Sequence, residues 1–249
     1  MIDGYSGRAE REIAHGKLLA AGDTESIWGW GTPAGQRRAE RRADLVATAA
    51  ELGPGVRALE VGCGTGLFTA LFAQTGAKIV AVDISPQLLE KAKARGLPAD
   101  RVQFMCHRFE ECDSLGPFDA VVGSSVLHHL EIQPALATIQ RLLKPGGIMA
   151  FAEPNMLNPQ VFAERTILRR YLAYVSPDET AFVRWSLRGL LRQMGFDDIN
   201  VSPFDWLHPS TPESIVGLAS SVGRLLERTP CVKEFAGSLI IRGRHPVQD

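Results

Sequence analysis

Leu59-Glu60-Val61-Gly62-Cys63-Gly64-Thr65-Gly66 is followed, seventeen residues after Gly66, by Asp83 at the end of a second apolar run. A short buried strand, three alternating glycines, a helix and then a carboxylate describe a nucleotide-binding βαβ unit. Without a Cβ the loop backbone turns tightly and approaches a ligand closely. A carboxylate at the second strand end accepts hydrogen bonds from ribose hydroxyls. A dinucleotide fingerprint would want a small residue at position 67, where this chain has Leu67, so a nicotinamide-dependent reductase is disfavoured.

Outward from this unit, strands and helices alternate, the pattern of a parallel sheet with helices on both faces. Val56 to Val61 reads as the first strand and Gly66 to Gln74 as the helix after it. Lys78 to Val82 is a second strand, and Ser85-Pro86 caps and opens a helix that Gly96 stops. Val102 to Cys106 and Phe118 to Val122 are the third and fourth strands. Pro134 to Leu143 is a helix closed by the turn Lys144-Pro145-Gly146-Gly147, and Ile148 to Ala152 is the fifth strand. An amphipathic helix from Arg184 to Met194, a strand from Phe196 to Val201 and an apolar run from Ser238 to Ile241 complete seven strands.

The 249 residues suffice for one α/β domain with insertions. A net charge of −1 and the lack of a basic run remove the electrostatic case for a nucleic-acid partner. Nowhere do about 18 uncharged apolar residues run together, so no stable membrane insertion is expected, and the chain reads as soluble and cytoplasmic. Cys63, Cys106, Cys112 and Cys231 lack metal-ligand spacing and read as small buried hydrophobes; no metal is expected.

The pattern E-x-G-x-G-x-G at 60–66 resembles the class I S-adenosylmethionine-dependent methyltransferases. So do Phe118-Asp119-Ala120-Val121-Val122, the following Ser125-Val126-Leu127-His128-His129-Leu130, and Leu142-Leu143-Lys144-Pro145-Gly146-Gly147. The resemblance covers about residues 45 to 155 and continues loosely beyond. It implies a doubly wound, Rossmann-like α/β sheet of seven strands whose last strand is antiparallel, with S-adenosylmethionine as cofactor. It further implies that Gly62, Gly64 and Gly66 meet the methionine part, with Glu60 near its ammonium, and that Asp83 takes the ribose hydroxyls. Ile84 should face the adenine, and the segment His107-Arg108-Phe109 its edge, with Ser125 also at the cofactor. Relatives often place an Asp after the third strand for the adenine amino group. Here Arg108 cannot accept a hydrogen bond, so a backbone carbonyl or Glu110 takes over or the register slips, and Phe109 either stacks or packs.

Methyl transfer from a sulfonium is an in-line displacement, so holding the acceptor behind the methyl in a water-poor pocket supplies much of the catalysis. A hydroxyl or protonated amine also needs a base. His128 and His129 at the end of the fourth strand, and Glu153 past the fifth, are the candidates on the rim where open α/β sheets bind ligands. The expected function is methyl transfer to oxygen or nitrogen of a small molecule. Carbon or sulfur acceptors, or a cofactor-binding protein without turnover, are the alternatives.

Residues 1–50 form an N-terminal segment, lid or packing element, and 51–249 the methyltransferase-like domain. The segment holds Trp28-Gly29-Trp30 and a charged helix from Gln36 to Ala50 with Arg37, Arg38, Arg41 and Arg42. Insertions at 155–180 and 203–235 are expected to roof the acceptor pocket, unless their stripes are ordinary core. The first carries Val161, Leu168, Leu172 and Val175 with Tyr171, the second Trp206 and a helix from Pro212 to Glu227 whose Ile215, Leu218, Val222 and Leu225 are apolar. Trp30, Tyr171 and Trp206 are the candidate acceptor contacts.

Overall fold

The structure is a computed structural model that describes residues 3–168 and 181–247. Three helices come first: α1 Asp3–Ala20, α2 Thr24–Ile27 and α3 Pro33–Ala49. The core follows as β1 Arg57–Val61, α4 Leu67–Ala73, β2 Lys78–Asp83, α5 Pro86–Lys93, β3 Val102–Cys106, β4 Phe118–Ser124, α6 Ile132–Leu142 and β5 Leu143–Pro154. The chain ends with α7 Pro159–Thr166, α8 Arg184–Gln193, β6 Asp197–Phe204, α9 Val216–Leu226 and β7 Ser238–Arg244.

These strands make one sheet in the order β3-β2-β1-β4-β5-β7-β6. The first five are parallel, and β7 is antiparallel to both β5 and β6, as the resemblance implied. The central strands are apolar on both faces because helices cover both. Leu59 and Val61 point into a cluster with Leu136, Ile139, Leu187 and Leu191 of α6 and α8. Ala58 points the other way, toward Val46, Phe72 and Leu89 of α3, α4 and α5. Strand order reverses between β1 and β4, so their carboxyl ends open a crevice there, the place where such sheets bind ligands.

Local chemistry sets the helix starts. Thr32 accepts from Gly35 N at 3.0 Å with Pro33 at the first helical position of α3, and Ser85 caps α5 the same way with Pro86. The turn at 144–147 lies inside β5 rather than before it. Phe118 pairs with Leu143, and the ladder resumes at Ala120 with Ile148, so the turn is an irregularity in a continuous strand. Two cysteines also depart from expectation: Cys63 and Cys112 are buried, but Cys106 and Cys231 are exposed, one on the edge strand β3 and the other in a surface turn. No helix among the described residues is long and apolar enough to cross a membrane.

Candidate active site

A cavity of about 650 Å³ lies over the carboxyl ends of β1, β2 and β4, a size suited to a small ligand. Its floor is the loop after β1. Gly62 and Gly64 have φ of +67° and +52°, a left-handed conformation that favours glycine. A Cβ on Gly62 would stand 2.5 Å from Val126 Cγ2, and one on Gly64 would stand 3.0 Å from the Trp28 ring. The loop is therefore pressed between β4's exit and the N-terminal segment. Gly66 has a different part: it starts α4, and a Cβ there would meet Ala92 of α5 at 3.0 Å. The cavity wall does not include Gly66 or Glu60.

Asp83 lines the cavity and ties the loop to β2. Its Oδ2 accepts from Gly64 N and its Oδ1 from Ser85 N, both at 2.8 Å. Burial raises its carboxyl above the ordinary range, against the two N–H groups that favour the charge. Glu60 is wholly buried beneath the loop beside Thr69. Burial pushes its carboxyl up to about 8, opposed by the Thr69 hydroxyl and helped by the charge of Asp83. Ile84, Arg108, Phe109 and Ser125 line the cavity, although Phe109 is also part of the core under β1 and β4. Ser125, at φ +56°, donates its N–H to Ala152 O at 2.8 Å, which bends the chain out of β4 toward the cavity.

The two histidines and Glu153 are brought together by the β4–β5 ladder, in which Ser124 stands opposite Ala152. Glu153 Oε1 accepts from Val126 N at 2.9 Å and Leu127 N at 2.8 Å, and its Oε2 stands 2.6 Å from His128 Nδ1. Burial would raise the Glu153 carboxyl, yet His128 and the two N–H groups outweigh it and hold it low. Burial takes His128 down to about 3, with His129 adding to the effect and Glu153 opposing it. A charged carboxylate against a neutral imidazole fixes the tautomer: Nδ1 carries the proton and donates it to Glu153, and Nε2 keeps its lone pair. His128 lines the cavity, whereas Glu153 stands behind it. The neighbouring His129 ring is 4.2 Å from that of His128, and its Nδ1 is 3.3 Å from Glu12 of α1.

One residue of this site escaped the sequence reading. Arg42 of α3 is 3% exposed, lines the cavity and, among the described residues, has no carboxylate partner within salt-bridge distance. Its Nη1 donates to Ser238 Oγ, and its Nη2 to Ala152 O at 2.9 Å and Ser125 Oγ at 3.2 Å, while Nε has no partner among the described residues. Burial draws its guanidinium down to about 10, which still leaves it charged at neutral pH. The signal was present: Ala39, Ala43 and Val46 form the buried stripe of α3, and Arg42 falls on it.

Trp30 lines the cavity, 8% exposed, edge-on to Phe68 at 5.6 Å and beneath the guanidinium of Arg38. Arg38 in turn makes a two-pronged bond to Asp205. Trp206 also lines the cavity, whereas Tyr171 lies outside the described residues, as do Leu172 and Val175. Val161 and Arg165 of α7 and the stretch from Asp205 to Pro209 face the cavity too. The stripe of α9 behaves otherwise: Ile215, Leu218, Val222 and Leu225 are 47–68% exposed and neither roof the cavity nor join a core. A periodic stripe marks one helix face and leaves open what covers it. Among the described residues no cluster of three or more His, Cys, Asp or Glu is arranged to hold a metal.

Residues 59–149 match the methyltransferase-domain family. A ubiquinone biosynthesis O-methyltransferase from Xanthomonas oryzae pv. oryzae is 34% identical over 143 residues, 56% of this chain and 59% of that protein. This chain thus spans well under two thirds of the curated relative. Similar folds include a possible histamine N-methyltransferase of Thermotoga maritima (19% identity, TM-score 0.62, covering 93% of this chain and 99% of that one). Another is the N-methyltransferase NodS of Bradyrhizobium japonicum, solved with S-adenosyl-L-homocysteine (17% identity, TM-score 0.57, 87% and 89% covered). Residues 59–149 thus carry a methyltransferase domain, and with its antiparallel β7, its glycine loop under the crevice and Asp83 bound to that loop the fold is that of the class I S-adenosylmethionine-dependent methyltransferases.

Proposed function

We propose that this protein transfers a methyl group from S-adenosylmethionine to a hydroxyl oxygen of a small molecule. The observation that carries the reading is the buried His128–Glu153 pair, whose histidine faces the same cavity as the glycine loop. The residues suit the cofactor. Gly62 and Gly64 hold a left-handed backbone at the cavity floor, Asp83 suits ribose hydroxyls, and the Nε of Arg42, without a hydrogen-bond partner among the described residues, suits a carboxylate. Ile84 and Phe109 offer apolar contact to the base. When bound, S-adenosylmethionine supplies an electrophilic methyl group on a sulfonium.

The rest is done by the chain. His128 Nε2 accepts the proton of the acceptor hydroxyl, and Glu153 stabilises the imidazolium that forms. A histidine held below its usual range is a weak base, so the matching acceptor hydroxyl is an acidic one, phenolic or enolic. That choice agrees with the O-methyltransferase named among the relatives. His129 stays with Glu12 as part of the wall. Residues 1–50 serve as the lid: Trp28 covers the glycine loop, Glu25 binds Arg95 and Thr65, and Thr32 donates to Pro209 O at 2.6 Å. Water is thereby kept from the reacting centre. Trp30 and Trp206 face the acceptor.

The test is label transfer from methyl-labelled S-adenosylmethionine to a panel of phenols, aliphatic alcohols, amines and thiols. The proposal expects labelled phenol ether, lost in His128→Ala. Label entering an amine or thiol, at a rate that His128→Ala leaves unchanged, would refute it.

A further inference from the structure

The amphipathic helix α9 is turned inside out. Its inward side carries Ala219, Ser220 and Gly223 along with Val216 and Leu226, and Gly223 is so close to Trp206 that a Cβ would stand 3.1 Å from the Trp206 Cβ. Its outward side carries Leu218, Val222 and Leu225, 68%, 47% and 65% exposed, with Ile215 a turn before them. The spacing of three, four and three residues places these four side chains on one helical face. The short turn that follows also exposes Val232 and Phe235. An apolar face of this kind, unpaired on a folded domain, marks an interaction surface.

Charge indicates what covers it. Arg224, Arg228 and Lys233 flank the apolar face, and among the described residues Arg224 bonds only Ser221 Oγ. The acidic residues of the segment are occupied or distant. Glu227 is held by Arg41 and by Asp205 N, Glu234 by Arg184 at 2.8 Å, and Glu213 lies at the far end before the helix. An apolar face bordered by unpaired cations is complementary to the headgroup boundary of an anionic bilayer, where leucines enter the acyl region and arginines remain with the lipid phosphates.

We propose that α9 and the turn after it dock this protein on an anionic membrane surface, peripherally and without spanning it. The inner side of α9 rests on Trp206, a wall of the cavity, so docking sets the bilayer against the acceptor side of the site. The inference does not depend on methyl transfer, and its readout needs no turnover.

The experiment is co-sedimentation of the full chain with large unilamellar vesicles of phosphatidylcholine alone or mixed with phosphatidylglycerol, at low and high salt. Expected is binding to the mixed vesicles only, weakened by salt. The triple variant Leu218→Ser/Val222→Ser/Leu225→Ser should lower binding by about tenfold or more with an unchanged circular dichroism spectrum, since these side chains are largely exposed and belong to neither core cluster. Arg224→Glu/Arg228→Glu should abolish the preference for phosphatidylglycerol, which keeps the test valid if the first variant misfolds. Absence of binding, binding indifferent to lipid charge, or full binding by both variants overturns the proposal. A concentration-dependent dimer that the triple variant abolishes, without vesicle binding, also overturns it and gives the face to a second copy of the chain.

Discussion

Replacing Glu153 by Gln tests the base assignment with little change of shape. The glutamine oxygen can keep the two N–H bonds from Val126 and Leu127, now made to Glu153 Oε1 at 2.9 and 2.8 Å. Its NH₂ then occupies the place of Oε2, 2.6 Å from His128 Nδ1, where two donors cannot face each other. His128 must move its proton to Nε2 and accept at Nδ1, so Nε2 no longer has a lone pair with which to act as a base. A charge-assisted bond of about 1.5–3 kcal/mol gives way to a neutral one of about 0.5–1.5, a net loss of roughly 1–2 kcal/mol. For a chain of this length that lowers Tm by about 2–8 °C. Turnover should fall about 10²- to 10⁴-fold, the usual contribution of a general base, with cofactor affinity unchanged because Glu153 is outside the cavity wall. Ring ¹⁵N shifts of His128 report the tautomer directly, and kinetics with an acceptor that the wild type turns over report the rate. Glu153→Gln/His128→Ala should be no slower than His128→Ala, since the two act as one unit. An unaltered tautomer, a wild-type rate, or losses that multiply in the double variant would refute the reasoning.

Asp83→Asn should weaken S-adenosylmethionine binding by about tenfold or more, the loss of a charge-assisted bond of about 1.5–3 kcal/mol; equal affinity by calorimetry removes Asp83 from the ribose site. Gly64→Ala should displace Trp28, because φ +52° costs a Cβ-bearing residue about 1–2 kcal/mol and the new Cβ would stand 3.0 Å from the ring; tryptophan fluorescence and cofactor affinity should change together, and an unchanged spectrum contradicts the contact. Glu60 carries a pH signature. Its folded-state pKa of about 8 lies above the usual carboxyl value of 4.5, so the folded protein holds a proton that the unfolded chain has released. Stability is then full below about pH 4.5 and is lost as pH rises toward 8, by at most about 1.4 kcal/mol per pH unit. Thermal melts of the cofactor-free protein from pH 5 to 9 should show this decline, and Glu60→Gln should flatten it; an unchanged slope in the variant places the proton elsewhere.

How much was legible varies from element to element for physical reasons. Strands β1 to β5 were readable because burial on both faces makes apolar runs that turn residues punctuate. The reversal of β7 has no local signature, since strand direction is set by ladder partners far away in sequence, and only the family resemblance implied it. His128 and Glu153 were each picked out from their places after strands, but their bond joins residues 25 apart and depends on the β4–β5 register. Arg42 was read within a charged helix, although its place on the Ala39–Ala43–Val46 stripe told it apart from Arg37 and Arg41. Helix α1 was missed because its sequence is mostly polar and it settles against α5 with few apolar side chains. For α9 the period was read correctly and the medium it faces was not, since periodicity is blind to which side of a helix meets the protein.

The most direct test of the account is calorimetric titration of the purified chain with S-adenosylmethionine, S-adenosylhomocysteine and NADH in parallel. The account predicts saturable one-to-one binding of the first two, weakened in Asp83→Asn, and none of NADH. Binding of NADH alone, or of none of the three, would contradict it.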